Sequence, residues 1–175
     1  YGVANLTVGD MTYNAHNGSN GSASADATAS FTSAISASAT GYGVATVTIG
    51  DLSILATAED DAYATYSTTY FAAFAYSQGE ATLNAGDVLV HAVGGGTATA
   101  YMSANISASG DGVATVNLGN FTVQAEGVDY AYAAASGNFY AHAYYEGLAT
   151  INAGDIAVMA TAASGTATAY FDYLS

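Results

Sequence analysis

The sequence contains no lysine, no arginine, no cysteine, no proline and no tryptophan in 175 residues. Each absence removes a class of chemistry. Without lysine or arginine the chain has no guanidinium forks for phosphate and no cations with which to release counterions from nucleic acid. With fourteen aspartates and glutamates and a formal charge of −14, it is repelled by anionic lipid surfaces. It also offers no cleavage site to a trypsin-like protease. Without cysteine, disulfides, thiolate metal sites and cysteine nucleophiles are excluded. Without proline, nothing interrupts a ladder of backbone hydrogen bonds or blunts the edge of a sheet. No apolar run reaches the 18 residues that mark a membrane-spanning helix. Charge itself is scarce: 8 % of residues, against ~25 % in an ordinary soluble domain.

Hydrophobic residues make up 51 % of the chain, with fifteen tyrosines and twenty glycines, so a disordered chain is not expected. The polar surface falls to Thr, Ser, Asn and tyrosine hydroxyls, which protect weakly against self-association. The chain begins at Tyr1, with no methionine, basic n-region or apolar h-region, and reads as a mature, processed product.

One phrase recurs five times. It reads Gly-Val-Ala-Asn-Leu-Thr-Val-Gly-Asp at 2–10 and returns at 43–51, 79–87, 112–120 and 147–155. The corner residues Asp10, Asp51, Asp87, Asn120 and Asp155 are 41, 36, 33 and 35 residues apart. A period of this size indicates a repeat architecture. The repeat bounds are 1–40, 41–78, 79–110, 111–146 and 147–175 within a single domain.

Each phrase alternates with period two, the signature of a strand with one apolar face. In the second copy Ala45, Val47 and Ile49 share one side, and after Gly50-Asp51 the residues Leu52, Ile54 and Ala56 resume on that side. A glycine followed by Asp or Asn suits a tight II′-like turn, in which the first residue takes a positive φ. The turn residues are Gly9-Asp10, Gly50-Asp51, Gly86-Asp87, Gly119-Asn120 and Gly154-Asp155. The two arms can pair with each other as a hairpin, or diverge as an arch whose arms join different sheets. Parity is the same in both cases. A polar or glycine loop and a longer Ala/Thr/Ser/Tyr segment follow each second arm. The last segment, to Ser175, is the shortest and is expected to meet another copy of the chain.

Candidate sites are weak. His16, His91 and His142 lie in different repeats at unrelated phases. Asp10, Asp51, Asp87 and Asp155 would align if the repeats stack and are the candidates for a bound cation, with loosely held divalent ions the one cofactor class left open. The nonapeptide calcium repeat is absent, however, and turn chemistry accounts for these residues. Glu59-Asp60-Asp61 reads as a solvated acidic turn. Gly94-Gly95-Gly96 lacks the lysine and helix of a phosphate loop, and no Gly-x-Ser-x-Gly elbow occurs. No catalytic residue, cofactor-binding residue or enzymatic activity is expected. Asn-x-Ser/Thr triplets occur at Asn5, Asn17, Asn20, Asn105 and Asn120, of which Asn17 and Asn20, in a polar loop, are the glycosylation candidates.

These repeats, the Gly/Ala/Thr/Tyr/Asp composition and the lack of basic residues resemble the major sheath proteins of filamentous methanogenic archaea. That resemblance implies an extracellular β-rich subunit stacked into a proteolysis-resistant, amyloid-like tube around the cell. The phrase Gly-Asp-Ile-x-Val-x-Ala at Gly154–Ala160 is also similar to the repeats of secreted β-solenoid adhesins of the filamentous-haemagglutinin type. The expectation is an all-β chain of Gly-Asp hairpins or arches in two apposed sheets, with apolar stripes between the sheets. Its expected function is structural self-assembly through strand edges into a cell-surface sheath or filament. Its partner is itself, together with other envelope or sheath components, and neither nucleic acid nor membrane insertion is involved. The alternatives are a repeat fragment of a large adhesin, and a secreted carbohydrate-binding module using Tyr66, Tyr70 and Tyr76 as a sugar platform.

Overall fold

A computed structural model describes residues 2–18 and 25–172. The described residues form strands and turns, with no helix. The chain runs through β1 (Val3–Val8), β2 (Met11–Asn17), β3 (Ala27–Phe31) and β4 (Ile35–Ala39). A second pass gives β5 (Val44–Ile49), β6 (Leu52–Ala58) and β7 (Ala62–Ala75), and a third β8 (Glu80–Ala85), β9 (Val88–Gly94) and β10 (Thr97–Gly110). Then come β11 (Val113–Leu118), β12 (Phe121–Gly127), β13 (Tyr130–Ser136) and β14 (Phe139–Ala143), and finally β15 (Leu148–Asn152), β16 (Ile156–Ala162) and β17 (Thr166–Asp172).

Every pairing is parallel and joins one pass to the next, so the chain is a β-solenoid. The first sheet has the order β1-β5-β8-β11-β15, the second β16-β12-β9-β6-β2, and the third β17-β13-β10-β7-β3, with β4 on β7 and β14 on β10. The register lays the Gly-Asp phrases side by side: Val3 pairs with Val44, Val44 with Glu80, Glu80 with Val113, and Val113 with Leu148.

The pairing decides between the two geometries that parity leaves open: the two arms of each Gly-Asp phrase do not pair with each other, since β5 and β6 belong to different sheets, so the phrase is an arch. One expectation changes. The sheets number three rather than two, because the Gly-Asp corner breaks one wall of the coil into the first and second sheets. The third sheet faces both. Its early strands β3 and β13 pack against the second sheet, and β4 and β14 pack against the first. A register irregularity between Ala104 and Ile106, where β10 meets β7, lets these long strands follow the bend opposite.

The inward stripes meet in one continuous core. Leu83, Val116, Ile54, Val90 and Val123 are wholly buried, as are the alanines Ala62, Ala64, Ala98, Ala100, Ala131 and Ala133. The small side chains let the third sheet approach the other walls closely, while Phe31 and Tyr66 stack at 5.6 Å and Phe121 meets Phe139 edge-on at 6.5 Å to fill the wider parts.

Candidate functional site at the open edges of the coil

The corner between the first and second sheets repeats one hydrogen-bonding unit. The Asp51 N–H donates to Oδ1 of Asp10 at 3.0 Å, Asp87 N–H to Asp51 Oδ1 at 2.9 Å, Asn120 N–H to Asp87 Oδ1 at 2.7 Å, and Asp155 N–H to Asn120 Oδ1 at 2.9 Å. Each side chain thus caps the corner of the following pass. Two backbone bonds accompany it. The corner glycine donates backward, as Gly50 to Val8 O at 3.0 Å and Gly154 to Leu118 O at 3.2 Å. The first residue of the next strand donates forward, as Met11 to Asp51 O and Phe121 to Asp155 O, both at 2.8 Å. Beside this corner Asn117 donates to Asn84 and Asn152 to Asn117, each at 2.8 Å, in a second ladder.

The corner glycines are not in the II′ geometry expected of them. Among the described glycines, positive φ occurs at Gly41, Gly110 and Gly137 and at none of the five Gly-Asp or Gly-Asn corners. Their requirement is close approach. A Cβ on Gly50 would meet Asp10 Oδ1 and lie 2.8 Å from Asp10 N. One on Gly86 would meet Asp51 Oδ1 and stand 3.0 Å from both Asp51 N and Gly50 C. Gly119 and Gly154 face Asp87 and Asn120 in the same way.

The carboxylates proposed as a cation row therefore do fall in one line, with one oxygen of each of Asp10, Asp51 and Asp87 spent on a backbone N–H. Among the described residues, no three His, Asp or Glu side chains converge in a way that would hold a metal ion. The histidines are not gathered either. His91 faces Glu126 at 3.3 Å, His142 lies against Tyr144 with ring centroids 4.2 Å apart, and His16 is exposed at the end of β2. Asn17 is exposed and its side-chain amide donates to the Asp26 carbonyl at 3.0 Å; Asn20 lies outside the described residues. Of the expected sugar platform, Tyr66 is wholly buried while Tyr70 and Tyr76 are exposed. Parity explains this, since Tyr66 follows Ala62 and Ala64 on the inward stripe.

Two further acids accept hydrogen bonds at bends. Asp61 accepts from Thr97 N–H at 3.0 Å and from the Tyr63 hydroxyl at 3.4 Å. The Asp61 charge raises the Tyr63 phenol pKa, and burial, Asp26 and Asp60 add to it. Asp111 accepts from Ser77 N–H at 2.5 Å. An open groove of about 860 Å³ at that bend is lined by Tyr42, Gln78, Glu80, Asp111, Tyr145 and Glu146, which offer acceptors and aromatic faces.

The two ends of the coil differ from its middle. At the first pass, the inward-stripe residue Leu6 is 56 % exposed, whereas its ladder equivalent Leu83 is 0 % exposed. At the last pass Phe171 is 42 % exposed, whereas its ladder equivalents Ala135, Met102 and Tyr66 are buried. Among the described residues, the outermost strands β1, β2 and β3 on one side, and β15, β16 and β17 on the other, each have a strand neighbour on one side only. Sequence reasoning finds the stripes but not the ladder of side chain to backbone. Its signal is a glycine retained before every Asp or Asn although no turn requires its φ. Comparison with known proteins adds no relative: no family model, no curated protein and no solved structure matches the chain.

Proposed function

We propose that this chain is a structural protein, not an enzyme, that self-assembles by strand-edge pairing into an extracellular, proteolysis-resistant sheath or filament. The observation that carries this reading is the in-register parallel stacking of the passes, in which strand pairs with strand from one pass to the next. Among the described residues the outermost strands have a neighbour on one side only, and such an edge templates the addition of another strand. The lack of proline leaves those edges unblunted. The absence of basic residues supports assembly through backbone and hydroxyl ladders rather than ion pairs, and it leaves a trypsin-like protease nothing to cut. The five-fold phrase then serves as a stacking unit, so that a polymer extends the order already present within the chain.

A parallel solenoid also favours a second reading, in which these passes are one stretch of a large secreted β-solenoid adhesin. Electron microscopy and fibre diffraction of the refolded protein separate the two. Filaments or tubes with a meridional reflection near ~4.8 Å, the spacing of strands stacked along the axis, support the sheath reading. A monodisperse monomer at high concentration overturns it.

A further inference from the structure

The outward face of the third sheet carries tyrosine in an order that the stacking of passes does not require. Tyr63, Tyr101, Tyr132 and Tyr170 each sit between two positions of the inward stripe and so point away from the core. In the register Tyr63 lies beside Thr99, Thr99 beside Tyr132, and Tyr132 beside Thr168. In the next outward row Thr65 lies beside Tyr101, Tyr101 beside Ala134, and Ala134 beside Tyr170. Neither row sets a tyrosine directly against another, so the rings build no stacked ladder between passes. They form a zigzag instead, one ring on each of β7, β10, β13 and β17, alternating between two rows about 6.6 Å apart.

The rings lie down on this face. Ala134 occupies an outward position, yet it is 2 % exposed, and its neighbours in the register are Tyr101 and Tyr170. The Tyr101 hydroxyl is hydrogen-bonded to Ser136 Oγ, on the same strand as Ala134, at 3.0 Å, so its ring crosses Ala134 and turns a π-face to solvent. The Tyr63 hydroxyl donates to Asp61 Oδ2 at 3.4 Å, along its own strand. Threonine hydroxyls stand between the rings, and neither row contains an acid, although the whole chain carries a formal charge of −14. A second copy approaching this face would bring its own acids alongside those at the bends, and like charges repel. A neutral ligand meets no such repulsion. Flat aromatic faces flanked by hydroxyls suit a sugar ring, which is apolar on its C–H face and polar at its edge.

We propose that this face is a binding site for an extended, neutral, β-1,4-linked polysaccharide lying along the axis of the coil. Each pass rises about 4.8 Å, close to the rise of one sugar in such a chain. Successive sugars of that chain turn over alternately, as the rings step from row to row. A coiled α-linked glucan offers neither the rise nor the alternation, and an acidic polysaccharide is repelled by the lines of carboxylates. The site lies on the flank of the coil, goes beyond the self-assembly reading, and holds for monomer and polymer alike.

The test titrates the whole chain calorimetrically with cellohexaose and chitohexaose, which share the β-1,4 linkage, and with maltohexaose as the α-linked control. Binding of either β-linked sugar is expected, indifferent to salt, with none of maltohexaose. Tyr63→Thr/Tyr132→Thr makes one row match its neighbours Thr99 and Thr168, keeps a strand-forming residue at both positions, and is expected to weaken that binding at least about fivefold. Tyr132→Phe, which keeps the ring, is expected to retain most of it, and Tyr42→Ser, at another bend, all of it. Should the double variant not fold by circular dichroism, Tyr170→Thr, at the most exposed of the four rings, takes its place. The inference falls if neither β-linked sugar binds, if maltohexaose binds equally well, or if the folded ring-deletion variant binds like the wild type. It falls also if the wild type binds no sugar but self-associates through these rings, which assigns the face to a second copy. A failure to form filaments overturns the assembly reading alone.

Discussion

Replacing Gly86 by alanine isolates the close approach that the corners require. The added Cβ would meet the Asp51 carboxylate and two backbone atoms, Asp51 N and Gly50 C, each at 3.0 Å. The carboxylate alone could swing aside, but it would then release the Asp87 N–H that it accepts at 2.9 Å. The two backbone atoms belong to a corner held from both sides, with Gly50 N–H donating to Val8 and Leu52 N–H to Asp87. Overpacking of this kind costs about 1–3 kcal/mol, and a lost hydrogen bond about 1 kcal/mol more. Against this, alanine restricts the unfolded chain and returns about 0.4–1 kcal/mol. The net expectation is a loss of about 2 kcal/mol, which lowers the melting temperature of a chain this size by roughly 4–8 °C. Urea unfolding followed by far-ultraviolet circular dichroism reads the change as a lower midpoint at unchanged slope. The reasoning is refuted if Gly86→Ala is as stable as the wild type, because the corner would then have room that the structure denies it.

Three further outcomes follow from the same geometry. Leu83→Ala, deep in the first sheet and fully buried, is expected to cost about 2–5 kcal/mol by urea unfolding, while Leu6→Ala, its exposed equivalent, costs under about 1 kcal/mol in the monomer. Asp51→Asn keeps an acceptor for the Asp87 N–H, as Asn120 does for Asp155, and is expected to lie within about 0.5 kcal/mol of the wild type, whereas Asp51→Ala orphans that donor and loses about 1–2 kcal/mol; equal midpoints for the two variants would sink this account. Tyr63 keeps its proton to higher pH folded than unfolded because Asp61 opposes the phenolate. That contribution to stability is fully present below about pH 10, the ordinary tyrosine value, and is lost as pH rises through the raised folded pKa. Ultraviolet difference titration against Tyr63→Phe should show this phenol ionising late, and Asp61→Asn should bring it earlier.

Period-two alternation is enough to place Ala45, Val47, Ile49, Leu52, Ile54 and Ala56 on one side, and all six are buried. It cannot name their partners. Ile49 and Leu52 share an inward side whether their strands pair with each other or with strands 33–41 residues away, because a two-residue corner preserves parity in both geometries. The count of sheets is illegible for the same reason, since only the pairing shows that the Gly-Asp corner ends one sheet and begins another. Tyr66 illustrates a different limit. Counted in step with Ala62 and Ala64 it falls inside, yet as a tyrosine in a tyrosine-rich segment it reads as surface. The corner glycines, finally, obey a constraint between passes. A rule about local φ cannot detect it, because the atom that forbids a side chain belongs to a residue more than thirty positions earlier.

The distribution of charge bears on how the proposed polymer would grow. Thirteen of the fourteen acids lie at or beside three bends: Asp10, Asp51, Asp87 and Asp155 at the first; Asp26, Glu59, Asp60, Asp61, Glu126 and Asp129 at the second; Glu80, Asp111 and Glu146 at the third, with Asp172 at the end of the last strand. The faces between the bends are left almost neutral, so the charges run along the coil in three lines. Five passes at about 4.8 Å occupy about 24 Å, so in a polymer that continued the coil the fourteen acids of the chain would amount to roughly one charge per 1.7 Å, the linear density of duplex DNA. At that density a cylinder condenses counterions, and a short monomer condenses fewer than the polymer it joins. Each addition must then draw cations from the medium, and the critical concentration for assembly is expected to fall steeply as salt rises. Lowering the pH toward 4, where ordinary carboxylates take up protons, should act in the same direction, and chelation of divalent ions at neutral pH in the opposite one. Sedimentation of the polymer across a salt series measures the slope. A critical concentration indifferent to both salt and pH would mean that the charged lines do not come into register between copies, and would remove the electrostatic basis of the proposed assembly.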